Sequence, residues 1–319
     1  MVQTMQPPNP ARTKAQQFPQ WAFFKGELVP IADAKISIMT QVVNYGIGVF
    51  GGVRAYWNAD KQQLYVFRLA DHMRRFLNSG KLLSATLPYT ADDLKRFIVE
   101  LLRREGYRED AYIRPLIYNA TEDITPRLYD VQFDFACFTK PLGNYIALQV
   151  RACTSSWWRV EDNIIPARGK ITGAYVNSAF AKSEAHWNGY DEAIVLNQDS
   201  HVAEGSAMNL FIVREGALIT PPVTDNILEG ITRGTVLQLA REAGIPTLER
   251  SIDRTELYIA DEVLFCGTGA QVAEVTEIDH RKIGGGGLGA LGKKLQDAYF
   301  NVVRGKDARH PDWLTPVYA

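Results

Sequence analysis

The sequence predicts a mixed α/β protein of the α+β type, built as two domains, and three observations carry that reading. The chain has 319 residues, more than the ~100–200 that one domain ordinarily holds. Helix-like and strand-like stretches mix along its whole length with many apparent antiparallel connections, which favours two units over a single doubly wound sheet. The stretch Lys140-Pro141-Leu142-Gly143-Asn144 lacks periodicity and carries a proline and two turn formers, as a linker does. We therefore expect an N-terminal domain over 1–138, an interdomain loop at 139–145 and a larger C-terminal domain over 146–319. Hydrophobic residues make up 46% of the chain and charged residues 22%, which excludes a disordered or collagen-like protein.

The elements follow in order. Residues 1–18, with Pro7, Pro8 and Pro10, have little to bury and read as a loosely held arm. From Trp21 to about Ala55 the chain reads as short strands and turns, and Leu64–Phe67 pairs back across the turn-prone Asn58-Ala59-Asp60. Two helices come next. The second begins with a capping box at Thr90 and Asp93, places Leu94, Phe97, Ile98, Leu101 and Leu102 on one face, and stops at Gly106. Strands are expected at Ala111–Tyr118, Val131–Thr139 and Tyr145–Ala152, a helix at Ala179–His186, and a buried strand at Glu192–Leu196. A helix from about Thr232 to Glu242, strands at Glu262–Cys266 and Gln271–Val275, and a helix from about Ala290 to Val303 complete the chain.

Charge and cysteines narrow the class. The formal net charge is −1, so no global field draws in nucleic acid or an anionic membrane. No apolar window approaches the ~18 residues a membrane span needs, and the polar, proline-rich start has no signal-peptide core. Cys137, Cys153 and Cys266 form no CxxC pair, which argues against a disulfide framework or a metal site and for a reducing compartment, the cytoplasm. Gly287 to Gly292 spells GxGxxG. It lies too near the C-terminus for the rest of a dinucleotide fold, and the residues about 20 positions on are polar and loop-like. A glycine-rich turn before the last helix is the better account, which weighs against an NAD-dependent oxidoreductase.

One lysine sits in unusual company. Lys170 follows Ile164-Ile165-Pro166 and is flanked by Gly169 and Gly173, where backbone can approach closely. A lysine in a dry, partly cationic site loses basicity and becomes a usable amine at neutral pH, as an imine to a carbonyl cofactor requires. By itself it would pass for a surface lysine at a strand end. A pyridoxal phosphate site needs that lysine, a partner for the ring nitrogen and a cradle for a dianion. Glu204 stands between small residues and an apolar run and could hold the ring nitrogen. Gly230-Ile231-Thr232-Arg233 opens a helix, and Gly267-Thr268-Gly269 follows a buried strand. Both can offer N–H groups to an anion, and Arg68 can add a bidentate contact. Taken singly, each is an ordinary turn or helix start.

Together these segments resemble the fold-type IV pyridoxal-phosphate family, most closely the branched-chain amino acid aminotransferases, from about Phe23 to Phe300. The wording that carries the likeness is Asn44-Tyr45-Gly46 with Val49-Phe50, Phe67-Arg68 with Asp71-His72-Met73, Ala111 to Leu116, and Pro166 to Lys170 with Tyr175. Glu204-Gly205 with Asn209-Leu210-Phe211, Gly230 to Arg233, and Gly267-Thr268 complete it. The resemblance implies a smaller N-terminal α/β domain, a larger pseudo-barrel domain carrying the cofactor, and a homodimer. It implies that Lys170 forms the imine and moves the proton, that Glu204 pairs with the ring nitrogen, and that Tyr175 bonds the ring's phenolic oxygen. Arg68, Ile231, Thr232, Gly267 and Thr268 would hold the phosphate. Tyr112 with Thr268 and Gly269 would grip the substrate α-carboxylate, Tyr45 and Phe50 would form the side-chain pocket, and Arg54 and Arg114 would face the second carboxylate of glutamate.

The implied reaction moves the amino group of leucine, isoleucine or valine to 2-oxoglutarate or another 2-oxo acid. The sequence departs from the family at Gly51, Ala174 and Met208, and its interdomain loop is short. A more open, less charged pocket follows, so side activity on (R)-configured primary amines is expected. D-Amino acid aminotransferases, aminodeoxychorismate lyases and (R)-selective amine transaminases are the rival readings on the same fold. A cofactor-free scaffold is the distant one.

Overall fold

The computed structural model describes residues 18–143 and 146–318. Most of the expected arm and part of the expected interdomain loop thus lie outside the described residues. The chain opens with strands β1 (Trp21–Phe24) and β2 (Glu27–Pro30), a short helix α1 (Gln41–Tyr45) ended by left-handed Gly46, and strands β3 (Gly48–Phe50), β4 (Val53–Asn58) and β5 (Gln63–Phe67). Helices α2 (Leu69–Leu82) and α3 (Ala91–Glu105) and strands β6 (Ala111–Asn119) and β7 (Phe133–Pro141) follow. In α3 the Thr90 hydroxyl accepts from the Asp93 N–H while the Asp93 carboxylate accepts from the Thr90 N–H, so both ends of the expected capping box are made. These strands form an antiparallel sheet in the order β5-β4-β6-β7-β1-β2, with β3 beside β6. Apolar stripes of α2 and α3, including Met73, Phe76, Leu94, Ile98 and Leu101, close one face of it.

The second sheet starts with β8 (Gln149–Thr154), followed by helix α4 (Tyr175–Trp187) and strands β9 (Glu192–Leu196), β10 (Val202–Gly205), β11 (Asn209–Arg214) and β12 (Ala217–Thr220). Helix α5 (Ile231–Glu242), strands β13 (Thr247–Glu249), β14 (Glu262–Gly267), β15 (Gln271–Ile278) and β16 (Arg281–Lys282), and helix α6 (Ala290–Val303) complete it. Its order is β10-β9-β8-β15-β14-β11-β12-β13, with β16 beside β15. The β8–β9, β8–β15 and β12–β13 pairs are parallel and the rest antiparallel. The mixed α/β class expected from sequence is the class observed.

Several boundaries differ from the expectation, among them the start of α4 at Tyr175 and not Ala179. Lys140 and Pro141 belong to β7, because Pro141 pairs with Ala111 on the neighbouring strand. The strand expected from Tyr145 begins at Gln149. The C-terminal unit is not contiguous to its end: a last strand, β17 (Leu314–Pro316), crosses back and pairs with β5 on the edge of the first sheet. A shared apolar layer joins the two sheets, in which Tyr56 and Phe67 from the first meet Phe211, Leu264, Tyr299 and Trp313. The chemistry-bearing residues collect in a cavity of about 450 Å³ lined from both sheets.

Candidate active site

Lys170 lies outside any regular element, and its backbone is fixed from two sides. Its N–H donates to Ser79 Oγ on α2 (3.2 Å), and its carbonyl accepts from the Phe50 N–H on β3 (3.0 Å). A Cβ on the preceding Gly169 would stand 2.8 Å from Leu82 Cδ1, so that glycine permits the approach of this segment to α2. The Lys170 amine hydrogen-bonds the Tyr175 hydroxyl and lies 4.8 Å from the ring centroids of both Phe50 and Tyr175. Burial and then the Arg75 guanidinium hold this amine well below the usual lysine range, with Glu204 opposing them. That lowering favours the unprotonated amine, the form a nucleophile or proton carrier requires. Tyr175 opens α4 and packs its ring edgewise on Phe50 at 4.5 Å between centroids.

Glu204 is 4% exposed on β10, next to a register shift between Val202 and Glu204. Burial pushes its carboxyl up, and Arg159, whose Nη2 is 3.0 Å away, pulls it down. Its other oxygen accepts from Asn209 Nδ2 (2.9 Å) and the Leu228 N–H (3.3 Å). Arg159 was not singled out from sequence. It sits in the loop after β8, tied by its N–H to the Leu196 carbonyl and by Nε to that of Asn226, and only the folded β9 and β10 bring it to Glu204.

The anion cradle has two sides. Helix α5 starts at Ile231 with no side chain of the described residues capping it, and Ile231 and Thr232 line the cavity. Its free N–H groups and positive dipole end suit an anion. A Cβ on Gly230 would lie 1.9 Å from Asn209 Oδ1, so only glycine lets α5 begin this close to β11. Opposite stands the β14–β15 turn of Gly267, Thr268 and Gly269, with Thr268 Oγ1 donating to the Gly52 carbonyl at 3.0 Å.

The arginine at this cradle is Arg75. The expectation for Arg68 is corrected: it does not line the cavity, since its Nε pairs with Asp71 (2.6 Å), Nη1 donates to Thr235 Oγ1 (3.1 Å), and its guanidinium covers Trp313. Arg68 precedes α2 with a left-handed backbone. Seven residues along the helix, roughly 10 Å at 1.5 Å per residue, Arg75 lines the cavity and donates to the Glu229 carbonyl.

Phe50, Tyr112, Arg114, Leu116, Leu142 and Met208 form the remaining wall. Arg114 donates to the Tyr112 hydroxyl from Nη2 (2.8 Å) and covers the Phe50 ring at 4.5 Å. Among the described lining residues Glu204 is the sole acid, and it faces Arg159, leaving Arg114 without a lining carboxylate. Cys266 adds a neutral patch, its thiol pushed up to about 12 by burial. Two expected wall residues lie elsewhere. Tyr45 ends α1, is 41% exposed, and donates its hydroxyl to the Ile124 carbonyl. Arg54 is buried on β4, and its Nη2 is spent on the Leu142 and Gly143 carbonyls. At Gly51 a Cβ would stand 2.5 Å from Pro115 Cγ, so the Pro115 ring fills the space a larger residue would need.

The glycine-rich GxGxxG stretch has its own explanation. The N–H groups of Leu291 and Gly292, at the start of α6, donate to the Glu262 carboxylate at 3.0 and 2.6 Å. A Cβ on Gly289 would lie 2.1 Å from Glu262 Cδ. The glycine makes room for an internal carboxylate at the place where a dinucleotide phosphate would sit.

Comparison with known proteins agrees with this geometry. The family model "Amino-transferase class IV" matches residues 48–278. A "probable branched-chain-amino-acid aminotransferase" of Aquifex aeolicus is 48% identical over 301 residues, covering 93% of this chain and 97% of that protein. The crystal structure of a branched-chain aminotransferase from the thermophilic archaeon Thermoproteus uzoniensis with norvaline superposes with a TM-score of 0.91 at 45% identity, covering 94% of this chain and 99% of the other. The branched-chain amino acid aminotransferase of Thermobaculum terrenum, in its PLP-form (holo-form), gives a TM-score of 0.89 at 37% identity, with 94% of this chain and 99% of that chain covered.

Proposed function

Because the chain belongs to the class IV aminotransferases, which are pyridoxal-phosphate enzymes, we propose that it transfers the amino group of branched-chain L-amino acids to 2-oxoglutarate or another 2-oxo acid. The observation that carries this reading is a wall of apolar groups holding one guanidinium, Arg114, with no lining carboxylate beside it. Such a wall accepts an aliphatic side chain in one half-reaction and a dicarboxylate in the other. A guanidinium already resting on the Phe50 and Tyr112 rings needs no acid partner when the aliphatic substrate is bound.

The residues present fit the cofactor. A lysine amine with lowered basicity, a buried carboxylate, and a dianion cradle of α5 N–H groups, Thr268 and Arg75 share one cavity. When bound, the pyridoxal group supplies an aldehyde and an electron-withdrawing ring. Lys170 is the residue that would hold the aldehyde, and its amine would carry the proton of the substrate Cα. Tyr175 keeps the Lys170 amine in place through its hydroxyl. Glu204, with Arg159 supporting its anionic form, holds the ring nitrogen. Arg75, Ile231, Thr232, Gly267 and Thr268 hold the phosphate, and Tyr112 with the Thr268-Gly269 turn orients the α-carboxylate.

A specific-activity panel tests the reading: leucine, isoleucine, valine, D-alanine and (R)-1-phenylethylamine, each with 2-oxoglutarate and with pyruvate. The branched-chain L-amino acids are expected to lead with 2-oxoglutarate, with slower turnover of the (R)-amine. Faster use of D-alanine than of leucine would overturn it.

A homodimer is part of the same proposal. Ile38, Met39, Val43, Tyr45, Ile124 and Tyr129 are exposed together around α1, an apolar patch that a second copy would cover. Light scattering giving the monomer mass at micromolar concentration would refute it. The three cysteines are free and buried, which supports a cytoplasmic location, and no helix of the described residues is long and apolar enough to cross a membrane.

A further inference from the structure

Arg54 is 2% exposed and stands outside the cavity lining, yet its contacts lead to the cavity wall. On β4 it pairs with Tyr112 of β6, which pairs in turn with Lys140 of β7. From there its Nη2 reaches the chain just beyond β7 and donates to two consecutive carbonyls, Leu142 (3.0 Å) and Gly143 (2.6 Å). In an extended strand neighbouring residues face opposite sides, so two carbonyls converging on one nitrogen mark a bend held by that donor. Leu142 lines the cavity, and its N–H is held by the Asp110 carbonyl at 2.9 Å. The Asp110 carboxylate lies 3.7 Å from Arg54 Nη2 and 2.9 Å from Nη2 of Arg304, the residue that ends α6. Among the described residues Arg54 Nε and Nη1 are enclosed without a hydrogen-bond partner, and Arg54 is not among the cavity-lining residues.

We propose that Arg54 is a positioning residue: it pins the Leu142-Gly143 bend and so sets the width of the pocket for the substrate side chain, with Asp110 tying that bend to the end of α6. The inference rests on the branched-chain reading for its substrate and on the hydrogen bonds alone for its mechanics. Losing the anchor leaves two carbonyls without a donor and lets Leu142 withdraw from the aliphatic substrate. Arg54→Lys keeps the charge and a donor within reach of both carbonyls.

The test uses the holoenzyme in two readouts. Arg54→Met is expected to raise the leucine KM about tenfold with kcat changed less than about twofold, the loss of roughly one hydrogen bond to a charged donor. Arg54→Lys is expected to restore most of that KM. Leu142→Ala raises the leucine KM in the parent and adds nothing in the Arg54→Met background, because the wall has already moved. In hydrogen exchange, the amides of Leu142 and Gly143 are expected to exchange about tenfold faster in Arg54→Met than in the parent or Arg54→Lys. Should Arg54→Met fail to fold, Asp110→Asn is expected to speed the same amides and raise the leucine KM about threefold. Unchanged exchange overturns the proposal. So does additivity with Leu142→Ala, and so does a loss confined to glutamate, which would make Arg54 a direct carboxylate contact. A parent that turns over neither leucine nor glutamate refutes the substrate reading instead, and the exchange measurement still decides whether Arg54 holds the bend.

Discussion

Two helices of this protein begin on a glycine, and they end up with opposite fates. Helix α5 begins after Gly230 and α6 after Gly289, both caps in extended backbone and neither offering a side-chain cap. At α6 the chain supplies its own anion, since Glu262 takes the Leu291 and Gly292 N–H groups. At α5 no carboxylate of the described residues caps the start, and Ile231 and Thr232 face a cavity instead. The electrostatics of the two ends are the same. Whether a helix start becomes a binding site depends on whether the fold has already satisfied it.

The sharpest way to break this contrast is Gly230→Ala. The added methyl meets Asn209 Oδ1 at 1.9 Å, and moving α5 away costs roughly 1–3 kcal/mol at the cradle. Pyridoxal-phosphate affinity, read by absorbance titration of the apoprotein, is expected to fall by as much as about 100-fold. Arg75→Met removes a cation from the same cradle and is expected to weaken cofactor binding about 10- to 100-fold, the worth of a charged hydrogen bond. Arg68→Met, whose side chain reaches Asp71, Thr235 and Trp313 outside the cavity lining, is expected to stay within about threefold of the parent. Equal losses in the two variants would erase the distinction.

Glu204 extends the contrast to a buried acid, because here too the chain supplies the counter-charge. Burial raises its carboxyl and Arg159 opposes the rise. With Arg159→Met the carboxyl rises further, so the ionised form needed at the ring nitrogen is reached only at higher pH. The acid limb of kcat/KM is expected to move up by about one pH unit, with activity recovering on the alkaline side. A limb that stays put would remove Glu204 from that role. The smallest effect belongs to Glu262→Gln. Its loss of charge at α6 is expected to cost about 1 kcal/mol in denaturant unfolding, with cofactor affinity unchanged. A fall in cofactor affinity there would show that the α6 start is coupled to the cavity.

What the sequence disclosed follows the same logic of local against distant causes. The capping box at Thr90 and Asp93 and the Glu192–Leu196 strand depend on near neighbours, and both lie where the local pattern put them. Lys170 was legible from its glycine-flanked, apolar surroundings. Tyr175, Glu204, Thr232 and Thr268 were legible only as segments read together against the family pattern, and the structure brings all five into one cavity. Arg68 was chosen at the end of the strand that precedes α2, two turns before Arg75. The usable signal was the buried stripe His72, Met73, Phe76 and Ser79, beside which Arg75 sits. Arg159 carried no local signal, since its meeting with Glu204 depends on strands folded later in the chain. Tyr45 and Arg54 bore the right chemistry, but the outward face of α1 and the pull of the Leu142 and Gly143 carbonyls take them elsewhere.

The return of β17 to β5 has a consequence for how the molecule is made. Val317 donates its N–H to the Leu64 carbonyl and is wholly enclosed by the first sheet, and Gln63 Oε1 accepts from the N–H groups of Val317 and Tyr318. During synthesis the amino-terminal sheet must therefore wait, with one flank open, until residues 314–318 clear the ribosome. Completion of that sheet depends on translation reaching residues 314–318, and a nonsense codon shortly before them would damage the half of the protein synthesised earlier.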